Sequence, residues 1–218
     1  MKPSRTTLLS VMFPMLIIAA PSSVLAHGAE VHLGAELSAN KLLQADASLR
    51  NLWLEHSFWV RNVVIATYAG DTAAITAAEN EAVNNARQIA AAMEPFYGKP
   101  AADKLFTLLA GHYGAVKQYL DATRNNQAAA QELARTSMFS NAEQLAIFLS
   151  SANPNLPIDA VRGMLLAHGG HHISQITQLR DRQYAEEAQT WGEMKNHMYA
   201  IADALAQAIA TQFPAKFK

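Results

Sequence analysis

The chain has 218 residues, of which 17 are basic and 18 acidic, so its formal net charge is −1. A nearly neutral chain without a basic patch has no bulk attraction for nucleic acid, and we predict no nucleic-acid partner. The chain has no cysteine, which excludes disulfides, thiolate catalysis, thiolate zinc sites and c-type haem attachment. Any metal site must therefore use imidazole and carboxylate ligands.

The first 26 residues have the organisation of a secretory signal peptide. Lys2 and Arg5 form a short basic start, and residues 8–20 are an apolar run that is too short to span a bilayer. Val24 and Ala26 are the small residues that signal peptidase requires before the cleavage point. We predict cleavage after Ala26, a periplasmic or secreted location, and no stable membrane insertion afterwards. An uncleaved anchor is the alternative interpretation.

The mature chain would begin at His27 and carry 15 basic and 18 acidic residues, because the signal contains two basic residues and no acidic one. Residues 27–37 are predicted to form a short polar lead, and residues 38–218 a single helical-bundle domain. The free amine and imidazole of His27 could chelate copper, with His32 as a third ligand. The alternative is a frayed terminus without metal.

Apolar residues recur at helical spacing along the rest of the chain, and no segment alternates with period two. The predicted helices span about 38–68, 71–94, 101–122, 127–151, 159–183 and 185–213. Asp71 is predicted to cap the second helix, and Pro95 with Gly98 to end it. Short connections between long helices predict an all-α, up-down antiparallel helical bundle of about six helices. The sequence shows no low-complexity segment and no convincing internal repeat.

The fifth predicted helix carries an unusual set of histidines. His168 and His172 are one turn apart on its apolar stripe, and His171 lies beside them. Neutral imidazoles at this spacing point the same way and can bind one metal ion. The alternative is that these rings are hydrogen-bonded core groups or face water. Inside a helix, Gly169 and Gly170 would each lower the stability by about 1 kcal/mol relative to alanine. Their presence therefore indicates close helix packing, a kink or room for a ligand.

Histidines also lie on or next to the apolar stripes of other helices, so a bundle would bring them together. A buried imidazole without a partner costs about 1–3 kcal/mol, so several of them need partners. We predict a transition metal site, with Zn, Cu, Ni and Fe not distinguished. The predicted ligands are His56, His112, His168, His172 and His197, the last as a ligand or as a hydrogen-bond partner of one. The candidate partners of the ring nitrogens are Glu55, Glu79, Glu81, Asp203, Asn84, Asn85, Asn141 and Gln175.

Two other functions stay open at this point. The same histidines could act as acid and base in an enzyme of unknown substrate, in a pocket lined by Trp53, Trp59, Tyr68 and Tyr113. The chain could also be a structural or partner-binding bundle without metal. Nothing resembles a nucleophile elbow, a phosphate-binding loop or a dinucleotide fingerprint. The Glu-x-x-His motif of di-iron bundles is also missing.

The run from Trp53 through His56 to Trp59 and Arg61 resembles the opening motif of an uncharacterised bacterial helical-bundle family, familiar from spore-forming Gram-positive bacteria. Further elements of that family's pattern are Asn85, Tyr97-Gly, Leu-Leu-x-x-His112, the run from Asn141 to Asn155, Met164-Leu-Leu-Ala-His168, His197, Asp203 and the run from Gln212 to Phe217. The resemblance covers about residues 49–217. It implies a bundle in which His56, His112, His168 and His197 act together with Asn85, Asn141 and Asp203.

A second, weaker resemblance is to the DinB-type bundles, which hold a metal ion with three histidines. The pattern His168-x-x-x-His172-x-x-Gln175 is similar to the last-helix motif of those bundles. The run Leu-Leu-Ala-Gly-His112 is similar to their earlier motif. This resemblance also implies a metal site built from histidines of separate helices.

Overall fold

The computed structural model describes the backbone of residues 23–218 and the side chains from residue 40 onward. The helices are α1 (Ser23–Ala69), α2 (Thr72–Tyr97), α3 (Lys99–Arg124), α4 (Ala128–Ala152), α5 (Ile158–Arg180) and α6 (Tyr184–Gln212), followed by a 3-10 turn at Pro214–Lys216. No strand occurs in this range. The predicted all-α fold is therefore confirmed. Most of the predicted signal peptide lies outside the described residues.

Helix α1 begins well before the predicted start at Ser38 and includes the segment that we expected to be a short polar lead. Alanine, glutamate and leucine, which favour helix, dominate residues 29–37 and continue the helix towards the N-terminus. The side chains of His27 and His32 are outside the described set. A copper site there stays a prediction.

Local signals explain the boundaries of α2. Asp71 caps it as predicted, because its side chain accepts a 3.0 Å hydrogen bond from the Ala74 N–H. The helix does not end at Pro95 but continues to Tyr97. The Gly98 N–H still reaches the carbonyl of Glu94 at 2.8 Å, and Gly98 leaves the helix with a φ of 80°. Glycine rather than proline therefore ends the helix.

The six helices form three hairpins that close into a ring. Helices pack as α1 with α2, α3 with α4 and α5 with α6, and the hairpins join through α2–α3, α4–α5 and α6–α1. The odd-numbered helices also contact one another. They therefore form the inner layer of the bundle, and side chains on their facing surfaces meet at its centre.

The expectation that the chain has no internal repeat is wrong, because the hairpins recur at an interval of 56 residues. The residues that end the first helix of each hairpin, Gly70, Asn126 and Arg182, all have positive φ, at 73°, 53° and 58°. In each case the next N–H bonds the carbonyl five residues back, at 2.8–3.1 Å. This is the Schellman arrangement of a helix C-terminus.

A second hydrogen bond recurs inside every hairpin, always between residues 33 apart. The side chain of Asn85 bonds the Leu52 carbonyl, that of Asn141 bonds the Leu108 carbonyl, and that of His197 bonds the Met164 carbonyl, at 3.0, 3.0 and 2.8 Å. The buried sets follow the same interval. Examples are Leu49, Leu105 and Val161; Trp53, Leu109 and Leu165; Val64, Leu120 and Ile176; and Ile89, Leu145 and Ile201.

The core consists of two apolar clusters along the inner helices. One contains Trp53, Leu109 and Leu165, and the other contains Val60, Val116 and Ile176. On each inner helix a histidine lies between the two clusters: His56, His112 and His168. Polar rings therefore interrupt an otherwise apolar interior. Within the described residues, no helix combines the length and hydropathy required to cross a membrane.

Candidate metal centre

Four buried histidines from three helices converge at the centre of the bundle. His56 comes from α1, His112 from α3, and His168 and His172 from α5. One ring nitrogen of each lies within 4.8 Å of the others. Their exposed fractions are 2%, 4%, 2% and 2%. We call these residues the four-histidine site.

The repeat explains why these side chains meet. His56, His112 and His168 occupy the same position in successive hairpins, so the three inner helices present them at one level. His172 takes the position that Val60 and Val116 fill in the other hairpins, and all three of these residues are buried. The site therefore has three histidines that follow the repeat and a fourth that breaks it.

The spacing of the rings fits a shared ion. A metal–nitrogen distance of about 2.0–2.1 Å puts an ion about 3.2 Å from the ring centroid, so two rings that share an ion have centroids about 5–6.5 Å apart. Five of the six centroid distances in the site lie between 5.2 and 6.3 Å. The sixth, between His168 and His172, is 4.4 Å.

The Nε2 atoms of His168 and His172 are 3.1 Å apart, so one ring donates a hydrogen bond to the other. Tetrahedral ligands at about 2.0–2.1 Å from zinc would be separated by about 3.3–3.4 Å. Two ligand atoms are therefore already near the spacing that a common ion requires. The remaining pairs would have to approach by at most about 1–1.5 Å.

Four of the eight ring nitrogens of the site are buried without a hydrogen-bond partner among the described residues. Nδ1 of His56, Nδ1 of His168 and both nitrogens of His112 are buried and unpaired. A neutral imidazole carries one N–H and one lone pair, so His112 buries an unpaired donor and an unpaired acceptor. Each such group costs about 1–3 kcal/mol. A bound ion would use the lone pairs that are now unpaired.

The side chains that we considered as partners of these rings are engaged elsewhere. Asn85 and Asn141 donate to backbone carbonyls, Gln175 donates to Glu187, and Asp203 accepts from Arg50 at 2.5 and 2.7 Å. Glu55 accepts from Asn51, Glu79 pairs with Lys117, and Glu81 accepts from Asn84. The histidines are therefore not a polar network that asparagine and aspartate satisfy.

Burial lowers the pKa of all four imidazoles. Desolvation lowers the pKa of His56 to about 4 and that of His112 to about 3, with the nearby His56 adding to the effect on His112. The pKa of His168 and that of His172 lie well below the usual value, first through desolvation and then through neighbouring imidazoles. The rings are neutral at pH 7, and neutral imidazole is the form that binds metal.

His197, the remaining predicted ligand, lies next to this group but outside it. Its Nε2–H donates to the Met164 carbonyl at 2.8 Å, and its ring is 6.5 Å from that of His168. The ring of His171 is 5.4 Å from that of His197. His171 and His197 are only partly buried. We call them the outer pair.

The space next to the four-histidine site is small. A cavity lined by Trp53, His56, His112, His168 and apolar residues has a volume of about 10 Å³, which is room for about one water molecule. The buried indole N–H of Trp53 has no partner among the described residues. Trp59, Tyr68 and Tyr113 pack instead against the second apolar cluster. Trp53 therefore lies in a different apolar cluster from the other three aromatic residues of the predicted substrate pocket.

The two glycines of α5 have different surroundings. A Cβ on Gly169 would lie 3.2 Å from Sδ of Met138, so close packing of α5 against α4 accounts for this residue. A Cβ on Gly170 would meet nothing within 4 Å. The space beside Gly170 lies next to His171 in the chain.

Sequence reasoning missed a polar network near the site. Arg61 donates two 2.6 Å hydrogen bonds to the carboxylate of Glu187, which also accepts from Gln175 at 3.1 Å. Glu187 and Gln175 are 3% and 2% exposed. Gln175 lies on α5 three residues after His172, so the network ties that helix to α1 and α6. The residues are far apart in the chain, and no spacing signal links them.

No family model, curated protein or solved structure matches this chain.

Proposed function

We propose that the protein binds one transition metal ion at the four-histidine site and that it is exported. The observation that carries the first part is the convergence of four buried, neutral imidazoles, of which His112 has no hydrogen-bond partner on either nitrogen among the residues with described side chains. Four nitrogen ligands without sulfur suit Zn, Cu, Ni or Fe. The export proposal rests on the sequence of residues 1–26 alone.

The surroundings of the site favour holding a metal over using it in catalysis. Structural sites fill all coordination positions with protein ligands, whereas catalytic sites keep one open. Four histidines supply a full tetrahedral set. The adjacent cavity of about 10 Å³ leaves no room for an organic substrate. We therefore propose metal storage, carriage or stabilisation of the bundle as the role, in preference to an enzyme.

Asn85 and Asn141 fit a role in the outer coordination shell. Within residues 40–218, their amide oxygens are buried without a partner, as are the Nδ1 atoms of His56 and His112 on the same hairpins. Metal-bound imidazoles usually donate their second N–H to an oxygen. We propose these two oxygens as the acceptors for His56 and His112 in the metal-bound protein.

The proposed site agrees with both resemblances in its use of histidines from separate helices. Membership of the bacterial helical-bundle family, in which His56, His112, His168 and His197 act together, remains a proposal. The arrangement described above supports the first three residues as a group and gives His197 a neighbouring position.

Metal analysis of the full chain, purified without a histidine tag, tests the proposal. Metal-free protein is incubated with Zn²⁺, Cu²⁺, Ni²⁺ or Fe²⁺ and separated from free ions. We expect the parent chain to retain about one equivalent of at least one of these metals. The His112→Leu variant should not retain that metal. A His27→Ala/His32→Ala variant controls for a terminal copper site. Failure to retain any of the four metals would overturn the proposal.

A further inference from the structure

The third hairpin carries histidines at four positions where the other hairpins together carry two. His168 has the repeat equivalents His56 and His112, but His172 replaces valine, His171 replaces Trp59 and Ala115, and His197 replaces Asn85 and Asn141. The bundle is therefore asymmetric in one respect. Only the third hairpin has imidazoles at the positions between its inner histidine and the partly exposed surface.

These rings form a continuous series from the surface to the centre. The ring of His171 is 5.4 Å from that of His197, which is 6.5 Å from that of His168. His168 is in turn 5.2 Å from His112 and 5.7 Å from His56. Each step lies within the range of about 5–6.5 Å at which two imidazoles can hold one ion.

The chemistry at the outer end of the series suits a cation. The hydrogen bond from His197 Nε2–H to the Met164 carbonyl leaves the lone pair of that ring on Nδ1. Glu193 is exposed and lies four residues before His197 on α6, so the two side chains share one face of the helix. This spacing places a carboxylate on the same side as the outer pair. The empty space beside Gly170 also leaves this side of α5 uncrowded.

We propose that His171 and His197, with Glu193, form an outer site that captures a divalent transition metal ion before it passes through His168 to the four-histidine site. This inference rests on the proposed function. The four histidines are at most 4% exposed, so an ion needs a route along which ligands replace water stepwise. Stepwise exchange from one imidazole to the next supplies that route without changing the final complex.

Stopped-flow loading of the metal-free full chain with Co²⁺ tests the outer site, followed by the absorption of the histidine-bound ion. His171→Ala installs the residue of the second hairpin, and Glu193→Gln removes the carboxylate. We expect loading to slow about tenfold or more in His171→Ala and severalfold in Glu193→Gln. Because a route affects entry and exit equally, the equilibrium affinity should change less than about threefold. Asn196→Ala, on the exposed face of α6, is the matched control and should load at the parent rate.

Two results would overturn the outer site. One is parent-like loading in His171→Ala. The other is a loss of equilibrium affinity in His171→Ala as large as its loss of rate, since His171 would then belong to the final complex. Failure of the proposed function looks different. In that case the parent chain itself retains neither Co²⁺ nor any of the four metals named above at equilibrium, and the capture role is overturned together with it.

Discussion

The Nε2 atoms of His168 and His172 lie 3.1 Å apart in the core of the bundle, on consecutive turns of α5. In the other two hairpins the second of these positions is valine, Val60 and Val116, and both are buried. Histidine in place of valine at this position of the third hairpin thus adds a fourth imidazole to the three that follow the repeat. The chain also provides the matched variant for testing that step.

His172→Val should weaken metal binding without damaging the fold. We expect the affinity for the bound metal to fall more than tenfold, because the ion loses one of four ligands. The free energy of unfolding of the metal-free protein should change by less than about 1–2 kcal/mol, since valine fits this position in the other hairpins and the cost is one unpaired nitrogen on His168. Metal titration and urea denaturation measure the two quantities. Unchanged affinity would remove His172 from the site.

The metal-free protein should lose stability as the pH falls below about 6.5. The pKa of His56 is about 4 in the folded protein and 6.5, the usual histidine value, in the unfolded chain, so the unfolded chain binds more protons between these two pH values. The free energy of unfolding is therefore highest above pH 6.5 and decreases as the pH falls towards 4. At pH 5 each histidine that stays neutral in the fold costs about 2 kcal/mol.

Urea denaturation followed by circular dichroism between pH 7.5 and 4.5 measures this dependence. The pKa of His112, His168 and His172 is lowered in the same direction, so their effects add to that of His56. His56→Leu should show a shallower slope than the parent. A stability that stays flat down to pH 5 would mean that the rings are not buried in neutral form.

Substitution by alanine at two glycines of α5 should change the free energy of unfolding in opposite directions. Gly163→Ala should raise the free energy of unfolding by up to about 1 kcal/mol, because the position is exposed, helical and open around the added Cβ. Gly169→Ala should lower it, because the Cβ would lie 3.2 Å from Sδ of Met138, which is fully buried. Thermal denaturation of the two variants is the measurement. Equal stabilisation by both would show that α5 and α4 are not in close contact.

Neutralising Glu187 should cost far more than neutralising an exposed glutamate. Glu187→Gln leaves the Arg61 guanidinium without its carboxylate, and we expect a loss of about 2 kcal/mol, below the value for a fully buried pair because Arg61 reaches solvent. The control is Glu132→Gln, which removes the exposed pair with Arg135 and should leave the free energy of unfolding nearly unchanged. Similar losses in the two variants would contradict the network at Gln175.

Helical periodicity was enough to predict the fold, because each helix has a stripe of buried residues at helical spacing. The stripe of α5, with Val161, Leu165, His168 and His172, is buried as predicted. The end of α2 differs from the predicted one because two helix-ending residues, Pro95 and Gly98, lie close together. There the hydrogen bond from Gly98 to Glu94 kept the last turn helical.

The repeat escaped sequence reasoning because its equivalent positions share size and burial rather than identity. Leu49, Leu105 and Val161 are interchangeable apolar residues, and Asn85 and Asn141 are matched by His197. The equal spacing of His56, His112 and His168 was the available signal. Which histidines would meet was harder to predict, since the separation of His197 from the four depends on how α6 packs outside the inner layer.

X-ray absorption spectroscopy of the full chain loaded with one equivalent of Zn²⁺ tests the central claim most directly. We predict three or four nitrogen neighbours at about 2.0–2.1 Å, with the outer-shell scattering of imidazole rings. His172→Val should lower the imidazole count by one. A first shell dominated by oxygen, or a spectrum that does not change in His172→Val, would contradict the four-histidine site.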